Sequence, residues 1–100
     1  MALVNKLQHI LAPRSIAIVG ASPDEEKIRG RIVAAPIAGG FDGPIYPVNP
    51  GHEEIQGLRA YPSIGAISAA VDLAIIAISA ERVAGVFEEC ADAGVRSAVI

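Results

Sequence analysis

The side chains of this 100-residue sequence that could do chemistry fall into three short groups. Gly20-Ala21-Ser22-Pro23 follows one apolar run and is trailed by Lys27, Arg29 and Arg31. Val48-Asn49-Pro50, with His52 close behind, ends a second, and Ile78-Ser79-Ala80 ends a third. A glycine directly after an apolar run permits a tight turn, and Ser22 adds a hydroxyl. The free amides at the start of the following helix carry a partial positive charge suited to a phosphate. A glycine in that turn also serves packing alone, so it does not identify a ligand by itself. The three cations oppose the helix macrodipole, and an anion would relieve them. The other reading neutralises them with Asp24, Glu25 and Glu26 as a solvated surface cluster. Asn49 has the groups to hydrogen-bond a ribose or a base, and His52 either meets a phosphate or lies on a surface loop.

Nothing in these groups has the form of catalytic machinery. His9 falls between helical positions and is expected to face solvent. Neither histidine has the partners of a catalytic base or the companion ligands of a metal site. Cys90 shares the i, i+3, i+4, i+7 spacing of one helix face with Val83, Val86 and Phe87, which makes it a small buried side chain rather than a nucleophile.

The elements that must position these groups are legible in the hydrophobic pattern. Leu3, Leu7, Ile10 and Leu11 predict a short helix stopped by Pro13. Ser15 to Val19 is a continuous apolar run of the kind found in buried parallel strands. A helix is predicted from about Ile28 to Ala38, stopped by Gly39-Gly40. Pro36 should kink it or end it a turn early. Ile45 to Val48 is the second strand, where Pro47 is tolerated only at a strand end or where no ladder donor is needed. The stretch from Asn49 to Ala70 reads as a crossover with at most one short helix near Ile64 to Ala69. Leu73 to Ile78 is the third strand, Glu81 to Ala93 an amphipathic helix ended by Gly94, and Ser97 to Ile100 the start of a fourth strand.

Strands alternating with helices at this spacing give an α/β fold, a Rossmann-like, doubly wound parallel sheet in three layers. The expected strand order is third, second, first, fourth, with the ligand at the carboxyl ends of the strands where the order reverses. Because the fourth strand has no helix after it, the sequence is expected to be truncated there, as part of a longer protein. The composition agrees with one small domain: 52% of residues are hydrophobic and the net charge is −3. The basic residues form no stripe, which argues against nucleic acid. Leu73 to Ile78 is far short of the roughly 18 to 20 apolar residues of a membrane span, and the N-terminus lacks the features of a secretory signal. No membrane partner and a cytoplasmic location are expected.

A dinucleotide site would show G-x-G-x-x-G after the first strand and an acidic residue at the end of the second. The sequence has Gly20-Ala21-Ser22-Pro23-Asp24-Glu25 and Val48-Asn49-Pro50 instead. A carboxylate at Asn49 would hold a ribose diol but repel the 3′-phosphate that distinguishes coenzyme A, so its absence points away from NAD.

Three blocks carry a family resemblance: Leu11-Ala-Pro-Arg-Ser-Ile-Ala-Ile-Val-Gly-Ala-Ser-Pro23; Pro44-Ile-Tyr-Pro-Val-Asn-Pro50 with Glu54-Ile-Gln-Gly-Leu-Arg-Ala-Tyr-Pro-Ser63; and Val71-Asp-Leu-Ala-Ile-Ile-Ala-Ile78. In this order they resemble the N-terminal CoA-binding domain of NDP-forming acyl-CoA synthetases and, more distantly, the succinyl-CoA synthetase alpha subunit. The resemblance implies that residues 1–100 are one CoA-binding, Rossmann-like domain, incomplete at its C-terminus, with coenzyme A as ligand. It places Gly20, Ala21, Ser22 and Pro23 on the nucleotide, Val48, Asn49 and Pro50 on its adenosine side, His52 at a cationic contact, and Ile78, Ser79 and Ala80 beside the cofactor; Lys27, by its own position after the loop, is expected to reach a phosphate held at the helix start. It also implies that phosphoryl transfer through a phosphohistidine belongs to other domains or subunits of a parent synthetase, so that this chain binds without catalysing. An NAD(P)-binding oxidoreductase domain and a regulatory domain fused to an acetyltransferase are the alternatives.

Overall fold

The computed structural model describes residues 12–99. The predicted Leu3–Leu11 helix, His9 and Ile100 lie outside them. In chain order the elements are β1 (Ile16–Val19), α1 (Ile28–Ala38), β2 (Ile45–Val48), β3 (Glu54–Ile55), β4 (Leu58–Arg59), one 3₁₀ turn (Ile64–Ala66), β5 (Leu73–Ile76), α2 (Ala80–Asp92) and β6 (Ser97–Val99). Among the described residues no helix is long and apolar enough to cross a membrane.

β1, β2, β5 and β6 form one parallel sheet in the order β2-β1-β5-β6, and β3 and β4 form a separate antiparallel hairpin. Alternate residues of β1 face opposite layers, as the two-residue period of a strand requires. Ile16 and Ile18 pack with Val33 of α1 and Ile55 of the hairpin, while Ala17 and Val19 pack with Val86 and Cys90 of α2 and with Ile64. The sheet is therefore covered on both faces, and the three-layer, doubly wound expectation holds. Cys90 is 4% exposed, as its spacing predicts. Burial pushes its thiol above the ordinary range, and the neighbouring Glu89 carboxylate pushes the same way.

The expected strand order is corrected: the third long strand, β5, lies against β1 and not outside β2. Two sets of hydrogen bonds account for this. On the outer edge of β2, the Tyr61 N–H donates to the Pro47 carbonyl and the Asn49 N–H donates to the Tyr61 carbonyl, each at 2.9 Å, so the edge is already occupied. At the other end, Ser15 Oγ donates to the Ala70 carbonyl at 3.1 Å and accepts the Asp72 N–H at 3.0 Å, while Arg14 N–H donates to the Asp72 carboxylate at 2.9 Å. These bonds tie the start of β5 to the start of β1. Pro47 sits where expected: its carbonyl points to the outer edge, so the donor it lacks is not one that β1 needs.

A second correction concerns Asn49 to Ala70, which holds the β3–β4 hairpin as well as the short helical turn. A third concerns α1, which runs two residues past Pro36 to Ala38. The helical ladder resumes after the proline: Ala35 accepts from Gly39 N–H and Pro36 from Phe41 N–H, both at 2.9 Å. Pro36 still supplies no N–H to the preceding turn and crowds the Ile32 carbonyl. Pro36→Ala should stabilise the domain by about 1 kcal/mol, the relieved helix penalty being partly offset by a freer unfolded chain. The urea midpoint is the check, and a fall would show that the proline is preferred at this site.

Candidate functional site at the carboxyl ends of the strands

The α1 and α2 crossovers leave the central β1–β5 pair in opposite directions, which opens a crevice above the carboxyl ends of those strands. A cleft of about 240 Å³ lies there. Its floor is Val19 and Gly20 at the end of β1, Val48 and Asn49 at the end of β2, and Ile78 beyond β5. Pro50, Pro62, Ser63 and Ile64 wall the β2 side, and Val86 and Glu89 of α2 the other. Arg29 of α1 and Arg82 of α2 complete the lining.

Gly20 is the hinge of this arrangement. Its φ is +86°, and its N–H donates to the Val48 carbonyl at 2.9 Å. A Cβ at this position would fall on the Ala77 carbonyl oxygen and 2.8 Å from Ile78 Cγ2, so the turn passes directly against the segment after β5. The loop beyond Gly20 is held by its own side chains. Ser22 Oγ accepts the Asp24 N–H at 3.1 Å, and Asp24 Oδ1 accepts the Glu26 N–H at 3.0 Å. A Cβ at Gly30 would collide with the Asp24 carbonyl, so this glycine lets the loop lie flat on α1.

The expected site residues separate. Gly20, Val48, Asn49, Pro50 and Ile78 come together in the cleft. Ala21 and Ser22 are buried beneath it. Pro23 lines a different cavity, with Ala34 and Ile37 of α1, and His52 a third that adjoins the cleft through Pro50 and Pro62. Lys27, Ser79 and Ala80 do not line the cleft, and all three are exposed. Asn49 also braces the site: its Nδ2 donates to the Ala21 carbonyl at 2.9 Å and its Oδ1 accepts the Gly51 N–H at 2.8 Å. It ties the β1 and β2 loops together, leaving one N–H and one lone pair for a ligand.

In the sequence Arg29 stands out only as one of three cations, and Arg82 and Glu89 not at all. Arg82 lies 62 positions beyond Gly20, and the topology alone brings it to the cleft. Among the described residues, Lys27, Arg29 and Arg31 form no ion pair with Asp24, Glu25 or Glu26, and Arg82 and Glu89 form none either.

Residues 14–100 match the family described as CoA binding domain. The chain belongs to that family. As a CoA binding domain it has coenzyme A as its ligand, and the cleft suits that ligand: two arginines face it, and the strand-end position that holds a carboxylate in dinucleotide sites is Asn49. The domain is 45% identical over 94% of its length to acetate–CoA ligase [ADP-forming] II of Archaeoglobus fulgidus, covering 14% of that protein. It is 40% identical, also over 94% of its length, to the alpha subunit of acetate–CoA ligase [ADP-forming] II of Pyrococcus furiosus, covering 20% of it. The solved apo structure of Ca. Korarchaeum cryptofilum dinucleotide forming acetyl-coenzyme A synthetase 1 superposes with a TM-score of 0.90 at 39% identity, over 94% of this chain and 20% of that one. The domain thus spans no more than a fifth of each of these relatives.

Proposed function

We propose that this domain holds coenzyme A for an ADP-forming acyl-CoA synthetase, with the nucleotide end in the Gly20–Asn49–Ile78 cleft. The observation that carries the reading is this cleft in a chain alike over nearly its whole length to acetate–CoA ligases. Its volume of about 240 Å³ is below the roughly 300 to 1,000 Å³ of pockets that enclose a drug-sized ligand. The cleft is thus too small to enclose the whole of coenzyme A, and in this reading the nucleotide end rests there while the pantetheine arm runs outward towards other parts of the synthetase.

In the proposed reaction the coenzyme A sulfur attacks the carbonyl carbon of an acyl phosphate. A carbon–sulfur bond forms, the carbon–oxygen bond to the phosphoryl group breaks, inorganic phosphate leaves, and the thiol proton passes to solvent or a base. Making the acyl phosphate from ATP, or returning its phosphoryl group to ADP, belongs to the other domains or subunits. This domain contributes binding and orientation: the Gly20 turn and the Asn49 tie fix the two loops on which the nucleotide rests. The cytoplasm is the compartment this reading implies, and the single, buried, unpaired Cys90 agrees with a reducing one.

Calorimetric titration with coenzyme A, dephospho-coenzyme A and NAD tests the reading. Coenzyme A should bind most tightly, and equal or tighter binding of NAD would overturn it. Asn49→Asp sharpens the test by placing a carboxylate near the ribose 3′-phosphate while removing the donor to Ala21. It should weaken coenzyme A by at least about tenfold at low salt, with the loss shrinking as salt rises.

A further inference from the structure

From the placement of Arg29 and Arg82 we infer that the two side chains form a two-sided clamp on the diphosphate of bound coenzyme A. This inference rests on the coenzyme A reading of the cleft and adds to it the residues that set phosphate affinity.

Arg29 is the second residue of α1 and Arg82 the third of α2. The two helices cover opposite faces of the sheet, yet both arginines line one cleft. They therefore approach it from the helices on opposite faces of the sheet, and Gly20 lines the same cleft. Both are exposed, and neither has an ion-pair partner among the described residues. The backbone of Arg29 is tied to the nucleotide loop, its carbonyl accepting the Ser22 N–H at 3.4 Å. Two guanidinium groups brought to one cleft repel, and a planar fork from each helix matches the oxygens of a phosphate held in it.

Glu89 lines the same cleft and limits where an anion can lie. It follows Arg82 by seven residues on α2, two turns and about 10 Å along the axis. Its carboxylate keeps phosphates at the Arg82 end. Asn49, Pro50 and Pro62 stand on the β2 side, where the adenosine is placed. The group left between the arginines is the diphosphate that joins adenosine to pantetheine, not the 3′-phosphate on the ribose.

Titrating the full chain and the variants Arg29→Gln, Arg82→Gln and the double variant with coenzyme A and dephospho-coenzyme A at low ionic strength tests this. Dephospho-coenzyme A keeps the diphosphate and lacks the 3′-phosphate. Each single variant should lose about tenfold in affinity for both ligands, and the double variant less than the product of the two losses, since both side chains hold one group. A loss that disappears with dephospho-coenzyme A would move the arginines to the 3′-phosphate and overturn the clamp. Unchanged affinity in both variants would also overturn it and leave the coenzyme A reading standing. Failure of the unaltered chain to bind coenzyme A would instead reject the underlying reading. Melting curves of the unliganded variants should match the parent, and a fall in melting temperature that accounts for the affinity loss would assign the arginines to the fold and overturn the clamp.

Discussion

Gly20→Ala should destabilise the domain by about 3 kcal/mol and abolish measurable coenzyme A binding, because the methyl group has neither a permitted backbone nor free space. At φ +86° an L residue pays a conformational penalty of about 1 to 2 kcal/mol. The added carbon also meets the Ala77 carbonyl, a rigid neighbour, and not the end of a flexible side chain. Overpacking of that kind costs a further 1 to 3 kcal/mol, roughly, by forcing backbone shifts. Those shifts would separate β1 from the segment after β5, which is where the cleft floor lies. Urea unfolding and titration with coenzyme A are the two measurements. A variant with the parent's midpoint and affinity would show that the turn relaxes freely and does not shape the site.

The parts of this structure that are legible in the sequence are those set by local pattern. Ile45–Val48 and the burial of Cys90 follow from period and turn signals that need no tertiary knowledge. The strand order does not follow, because hydrophobic runs specify that β2 and β5 are buried but not which edge of β1 each takes. That choice rests on polar side chains, Ser15 and Asp72, and on Tyr61 closing the edge of β2. The β3–β4 hairpin has a local signal too short to stand out against the surrounding loop: Gln56-Gly57 between Ile55 and Leu58 is a two-residue turn with glycine second. The site is half legible for the same reason. Gly20 and Asn49 announce themselves as strand-end residues, whereas Arg82 is an ordinary surface residue of an amphipathic helix until the topology places it over the cleft.

The same hairpin holds the nucleotide loop in place, which gives Gln56→Glu an expected loss of about 3 kcal/mol at pH 8, and a smaller one at pH 5. Gln56 occupies the tip of the turn with φ +51°, and its Nε2 donates to the Ser22 carbonyl at 3.0 Å and to the Gly30 carbonyl at 2.9 Å. One side chain thus joins the hairpin, the loop after Gly20 and the first turns of α1. Its Oε1 is buried without a hydrogen-bond partner among the described residues, so the amide is kept for its donors. A glutamate has the same shape and neither donor. Ionised, it would set negative oxygens against both carbonyls, each of which loses a bond whose absence costs about 1 to 3 kcal/mol when buried. Protonated, it restores one of the two. The pKa of the new carboxyl should therefore be raised in the folded state above its unfolded value near 4.3. With the folded state holding more protons, stability relative to the parent falls as pH rises from the unfolded to the folded pKa. Gln56→Leu removes the donors without adding a titrating group and should show a deficit that does not change with pH. Because Ser22 and Gly30 hold the loop and helix turn that carry Arg29, both variants should also weaken coenzyme A binding. Urea midpoints of the two variants, each referred to the parent at pH 5 and pH 8, decide the matter. A flat, small deficit for the glutamate would mean that the hairpin tip is solvated and that other contacts hold the loop.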